Sequence, residues 1–267
     1  MSTKLRRRVR FVHTSDLHLD MNHTMREPLW LDRRRRHMEA FTGVVDMAIA
    51  EDLDAMVLAG DIFDHRRPGA EVVEFLFAEI RRFGRPVLLL PGNHDAFEEG
   101  SVWKTADLSG AGAHAHLITE PKGQEIAHEL LGVVFWGRAY TDADLHFRPL
   151  DGIPEPSREG MWHVAVGHGH FIEDHEDSYR HQLIRSGEIE RSGWDYIALG
   201  HWDHVHDVSR GSTVAGYSGA PIPIADGRRS LITGMAAIVT MDPEAGVSVE
   251  MRVVEPRGSG VTLDARL

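Results

Sequence analysis

The sequence predicts an α/β fold in which two mixed β-sheets pack face to face, with helices on the outside. Three observations carry this. Up to Asp95, short apolar runs alternate with helical patterns, as parallel strands joined by crossover helices require. After Asp95 the pattern changes to short strands separated by Gly and Pro. Five apolar runs also end in Asp, His or Asn, and the C-terminal ends of strands are where an open α/β sheet presents its chemistry.

The bulk composition sets limits. A chain of 267 residues is long enough for a sizeable core. Its 42% hydrophobic and 26% charged residues exclude a disordered chain. The formal charge of -12 argues against a surface coated for non-specific nucleic-acid binding and leaves room only for a local basic groove. With no cysteine, disulfides, thiolate metal sites and a cysteine nucleophile are excluded. Histidine, present eighteen times, is the commonest metal ligand and a general acid. The basic stretch 1–10 is not followed by the apolar segment of a signal peptide, and no apolar run approaches the roughly 20 residues of a membrane span. The expectation is a cytoplasmic protein with no membrane contact, its basic N-terminus a solvated lead-in to the first strand.

Residues 9–14 read as that strand, and 15–27 as a loop holding His18 and His23. Apolar residues at helical spacing (Leu31, Met38, Phe41, Val45, Ala48, Ile49) predict a helix over 31–50 with Asp32 as its cap. Arg33, Arg34, Arg35 and Arg36 would then oppose the helix dipole, as a solvated face or as a contact to substrate phosphate. A short apolar run over 54–59 suits a buried parallel strand; a helix over 69–83 and a strand over 86–90 complete the alternation. Short strands follow at 117–118, 125–128 and 133–136. Residues 141–160, with three prolines and no periodicity, form a long surface loop, and such loops are often functional. Strands at 162–166 and 194–199 flank a short helix within 179–191, and strands at 205–208, 213–217, 231–241 and 247–254 end the chain.

The strand ends carry the chemistry. Asp16 and His18 stand at i and i+2, which point the same way on extended chain. Asp61 follows a glycine that lets the backbone turn, and a carboxylate there can bridge two cations. Asn93 offers an amide oxygen, and His168 and His201 offer imidazoles, each after a glycine. Mixed nitrogen and oxygen donors without thiolate suit manganese, iron or zinc. Two such ions about 3.5–4 Å apart can clamp the attacking and leaving oxygens of phosphoryl transfer. Each piece alone is weak: Asp-x-His arises by chance, and a lone Gly-His is more often a turn beside a structural histidine. Five pieces in one order, each at a strand end, are specific.

In that order the pieces resemble the calcineurin-like metallophosphoesterase superfamily, whose pattern runs D-x-H, G-D-x-x-D, G-N-H-D/E, H, G-H-x-H. The resemblance covers residues 9–225. It implies a four-layer α-β-β-α sandwich forming a single domain over 1–267, with strands in 226–267 completing a sheet. It implies two divalent metal ions, manganese first, with iron or zinc as alternatives. Asp16, His18 and Asp61 would hold one ion; Asp61, Asn93, His168 and His201 would hold the other. His94 would be no ligand but a catalytic acid on the leaving oxygen, oriented by Asp64, while Asp95 would fix the loop.

The last motif departs from the pattern. Gly200-His201-Trp202-Asp203-His204 puts Asp203 where the family has its second histidine. Asp203 is the preferred seventh ligand; a one-residue bulge would present His204 instead, and His206 is a third contender. Reading Gly167-His168-Gly169-His170 as the final motif would leave the strand before His201 unexplained, so His170 is a residue behind the ligands or beside the substrate.

Within the superfamily the chain is most similar to the SbcD-like branch of DNA repair nucleases, through His13-Thr14-Ser15-Asp16-Leu17-His18-Leu19, Gly60-Asp61-Ile62-Phe63-Asp64, Gly92-Asn93-His94-Asp95, and Asp195-Tyr196-Ile197-Ala198-Leu199-Gly200-His201. Relatives there usually continue into a DNA-capping domain and a segment that docks an ATPase, whereas this chain stops at Leu267. The expectation is a stand-alone phosphodiesterase acting on a phosphate ester, nucleic acid included, without an ATPase partner. A phosphomonoesterase, a small cyclic-nucleotide phosphodiesterase or a non-catalytic phosphate-binding module are the alternatives.

Overall fold

A computed structural model describes residues 6–21, 29–141, 144, 146–222 and 234–255, with the side chains of 29–32 excepted. His23 and the expected strand residues 231–233 lie outside them. The chain begins with β1 (Val9–Thr14), α1 (Leu29–Ala50), β2 (Ala55–Ala59), α2 (Ala70–Phe83) and β3 (Val87–Leu90). A short helix α3 (Val102–Thr105) precedes β4 (Ala115–Leu117), β5 (Gln124–His128), β6 (Val133–Gly137) and β7 (Trp162–His168). Then come β8 (His170–Ile172), β9 (Leu183–Arg185), α4 (Ser186–Ser192), β10 (Tyr196–Gly200), β11 (Val205–Asp207), β12 (Val214–Ser218), β13 (Met235–Asp242) and β14 (Gly246–Val253).

These strands make two six-stranded mixed sheets, ordered β14-β13-β1-β2-β3-β4 and β11-β12-β10-β7-β6-β5, and β8 pairs with β9 apart from them. The core explains why the sheets stack. In β2 and β3 every residue is buried, because Val57, Ala59, Leu88 and Leu90 face the second sheet while Met56, Leu58, Val87 and Leu89 face the helices. Val164, Val166 and Ala198 answer from the second sheet. Phe41, Val45, Leu76 and Ile80 of α1 and α2 cover one outer face; Ile189 of α4 and Trp194 cover the other. This is the four-layer arrangement. Each fully buried Val or Leu side chain contributes roughly 1.5–3 kcal/mol.

Expected and observed elements agree to within a few residues. The first helix begins at Leu29, so Asp32 falls inside it and not at its cap. The expected short helix is α4, but β8 and β9 before it were not anticipated, since three-residue strands carry no readable periodicity. The basic N-terminus is held down by pairing: Arg6 with Asp195 at 2.8 Å, Arg7 with Asp54 at 3.0 Å and Arg10 with Glu51 at 2.7 Å. Arg34 is likewise committed to Asp20 at 3.1 Å and Glu71 at 2.6 Å. Among the described residues no helix is long and apolar enough to cross a membrane.

Candidate metal centre

The topology brings five strand ends together. β1, β2 and β3 are parallel neighbours, with Thr14 opposite Leu58 and Ala59 opposite Leu90. β7 and β10 are parallel neighbours in the other sheet, with His168 opposite Gly200. Because the sheets stack, all five ends open on one crevice.

The glycines before the ligands are required by contact. A Cβ on Gly60 would stand 2.1 Å from His168 Nδ1, and one on Gly92 would stand 2.1 Å from Asp61 Oδ1. On Gly200 it would meet the Ala59 carbonyl at 2.0 Å. The loops are therefore as close as backbone allows. Four of the expected ligands also lie in the left-handed region: Asp16 at φ 55°, His18 at 43°, Asp61 at 50° and His201 at 108°. Such strain costs about 1–3 kcal/mol per residue and persists only where the surroundings impose it. They do so here. The Asp16 and His18 amides donate to the Gly60 and Asp61 carbonyls at 3.0 Å each, and the Asp95 carboxylate accepts from Gly92 at 2.7 Å and from Ile62 and Phe63 at 3.1 Å each.

Asp16, His18 and Asp61 form one cluster whose donor atoms lie within 4.8 Å of one another; Asp61, His168 and His201 form a second; His18, Asp64 and His94 form a third. Asp61 is common to the first two. Its Oδ2 lies 3.9 Å from His18 Nε2 and 3.2 Å from His168 Nε2. Asn93 Oδ1 lies 3.1 Å from His168 Nε2 and 3.2 Å from His201 Nδ1. Asp203, His204 and His206 belong to none of these clusters. His204 stacks on Trp202, with ring centres 5.3 Å apart. His170 accepts from Trp202 Nε1 at 2.9 Å, and its ring centre is 6.2 Å from that of His201.

The residues 9–204 match the model of the calcineurin-like phosphoesterase family. The chain belongs to that family. It is 28% identical over 206 residues to the uncharacterized metallophosphoesterase YhaO of Bacillus subtilis, covering 72% of this chain and 48% of that one. It is 29% identical over 211 residues to the DNA double-strand break repair protein Mre11 of Haloferax volcanii (75% of this chain, 42% of that one). With a subunit of the SbcCD nuclease of Rhodobacter capsulatus the identity is 26% over 149 residues (53% and 31%). These relatives accord with the SbcD-like resemblance, and the match spans less than half the length of each. TT1561 of Thermus thermophilus shares the fold at a TM-score of 0.57 and 12% identity, covering 92% of this chain and 99% of that one. A dimetal phosphatase from Danio rerio does so at 0.52 and 11% (92% and 99%).

The donor set of this metallophosphoesterase fits cations. His168 Nδ1 donates to the Ala59 carbonyl at 2.9 Å, so Nε2 faces two acceptors, Asp61 Oδ2 and Asn93 Oδ1. Such an arrangement needs a proton or a cation between its lone pairs. The titration behaviour says the same. Burial would push His168 down, but the Asp61 and Asp16 carboxylates outweigh it and hold the ring at about 10. Burial also opposes charge on His18, yet the bond to Asp64 and the Asp61 and Asp16 charges lift it to about 9. Asp16 is raised, chiefly by burial; Asp61 is held low because His168 overrides the same effect. His201, half-buried, falls to about 3 through desolvation and the neighbouring His168. The buried carboxylates thus draw positive charge onto His18 and His168, though not onto His201.

Two contacts differ from expectation or escaped it. The Asp64 carboxylate sits on His18, with Oδ1 3.1 Å from Nδ1, and lies 3.8 Å from His94 Nδ1. What His94 Nδ1 meets at 3.0 Å is the Asp64 backbone carbonyl. Ser15 Oγ donates to Asp16 Oδ2, a contact that nothing in the sequence signals.

Proposed function

We propose that this chain is a divalent-metal-dependent phosphodiesterase, similar to the SbcD-like nucleases, acting as a single domain in which the motif-bearing region and strands β13 and β14 form one unit. The observation that carries the reading is Asp61, a buried carboxylate common to two donor clusters. In this reading Asp16, His18 and Asp61 hold one ion, and Asp61, Asn93, His168 and His201 hold the second. Asp203 stands as a seventh ligand on the first, and manganese suits the oxygen-rich set. Ions bound there supply Lewis acidity, stabilising charge on the phosphoryl oxygens and favouring loss of a proton from the attacking water.

The chain's own residues do the rest. His94 is half-buried at the rim, its ring centre 4.7 Å from that of His18, and its amide donates to Asp61 Oδ1 at 2.8 Å. With Nδ1 committed to the Asp64 carbonyl, Nε2 is the nitrogen available to give a proton to the leaving oxygen. A phosphate receptor has no use for such a group, which favours an enzyme over a binding module.

The test uses bis-p-nitrophenyl phosphate, p-nitrophenyl phosphate and an alkyl phosphodiester, each with Mn²⁺. A phosphodiesterase turns over the diesters in preference to the monoester. His94→Gln should keep both ions and lose about 10²–10⁴-fold on the alkyl ester, less where p-nitrophenolate leaves without a proton. Preference for the monoester would favour a phosphomonoesterase, and equal losses on both diesters would remove His94 as the acid.

A further inference from the structure

Next to the metal centre lies an open groove of about 500 Å³. Arg148, Arg180, Arg185, His146, His181 and Tyr179 line it, and no Asp or Glu is among its lining residues. On a chain of formal charge -12 a groove lined without acids stands out, although the acidic residues Asp174, Glu176 and Asp177 precede it in the chain. Two segments build it: the loop 146–148 and the stretch 178–185 that runs into β9. Arg148 is partly engaged by Glu188 at 2.8 Å, and Arg185 by the Asp174 carbonyl at 3.1 Å. Arg180 is exposed and pairs with no carboxylate among the described residues. Tyr179, at 104% relative exposure, has its ring free in solvent.

The groove is joined to the centre by short links. β8 pairs with β9, placing His170 opposite Leu183, and the His170 amide donates to the Gln182 carbonyl at 2.9 Å. The His170 ring in turn neighbours His201.

We propose that this groove binds single-stranded nucleic acid flanking the scissile phosphate, with Arg180 taking a neighbouring phosphate and Tyr179 stacking on an unpaired base. The proposal rests on the phosphodiesterase reading above. Guanidinium groups recognise phosphate oxygens and aromatic rings recognise the faces of bases. A duplex keeps its base faces stacked inside, so a free ring selects a single strand. The volume suits a ligand of nucleotide size.

The test is fluorescence anisotropy with Mn²⁺ and a short phosphorothioate oligothymidylate, which resists cleavage during the measurement. Tyr179→Ala should weaken binding about 5- to 150-fold, the range of base–aromatic stacking, while Tyr179→Phe keeps the affinity. Arg180→Ala should weaken binding and lower the slope of log affinity against log salt by about 0.7, and Arg180→Lys should restore that slope. Binding to a duplex should be insensitive to Tyr179→Ala. Unchanged single-strand affinity and salt slope in the alanine variants would overturn the proposal, as would an equal loss on duplex. Turnover of bis-p-nitrophenyl phosphate by the unaltered protein is followed alongside. If that fails while the oligonucleotide results hold, the phosphodiesterase reading falls and the groove stands.

Discussion

The two sheets meet at the candidate metal centre with unlike ends. On the first sheet the loops after β1 and β2 are tied to one another through their backbones, and the loop after β3 joins them through the Asp61 and Asp95 carboxylates. Asp16, His18 and Leu19 donate to Gly60, Asp61 and Ile62 at 2.9–3.0 Å, and Asp64 donates back to Leu19 at 2.9 Å. On the second sheet His168 and His201 stand at the ends of adjacent strands, and the side chains just beyond His201 pack ring on ring, over a backbone held by the β11–β12 pairing and the Ala220 amide. Trp202 stacks on Tyr217 with centres 4.6 Å apart, and His204, exposed, stacks on Trp202. Backbone bonds fix position whatever the side chains do, whereas stacked rings fix it only while the rings remain. The first half should therefore resist single substitutions outside the ligands and Asp95, whereas in the second the stacked side chains should move.

Asp61→Ala is the largest break, because this carboxylate belongs to both halves. It lies 3.9 Å from His18 and 3.2 Å from His168. Removal should release both ions together and lower turnover by about 10³-fold or more, since metal stabilisation of phosphoryl charge is worth several kcal/mol. Metal content by mass spectrometry checks this. Retention of one ion at full occupancy would mean that the halves are independent and that Asp61 bridges nothing.

Asp64→Asn sharpens the comparison within the first half. The carboxylate serves His18, while the backbone carbonyl, which the substitution keeps, serves His94. The expected result is about a 10- to 100-fold loss of Mn²⁺ affinity, as for other groups that orient a metal-binding histidine, with leaving-group dependence unchanged. A loss confined to poor leaving groups, at full metal affinity, would show that the side chain acts through His94 instead.

The same asymmetry governs what the sequence revealed. The first-sheet motifs could be read because each requirement has a residue type: glycine where Gly60 and Gly92 touch His168 and Asp61, an acid or imidazole where donors converge. The strands were legible because β2 and β3 are buried on both faces and so read as unbroken apolar runs. The division of labour at Asp64 was not, since a backbone carbonyl as partner leaves no mark on residue identity. Nor were β8 and β9, three residues each, which join the basic groove to the centre. Arg148 and Arg180 lie some thirty residues apart in sequence and come together only in three dimensions.

The smallest effect is expected at Asp203. It stands two residues after His201, half-buried, with its carbonyl accepting from the Ala220 amide at 3.1 Å. That bond holds the Asp203 backbone two residues beyond His201. His204 is instead engaged with Trp202 and exposed. Asp203→Ala should lower the affinity for one of two Mn²⁺ ions by about 10-fold, the low end for groups around a metal, while His204→Ala leaves both nearly unchanged. Titration calorimetry separates the two sites. The reverse result would mean that the loop gives up that bond to Ala220, slides by one residue and offers the histidine where the family pattern has it.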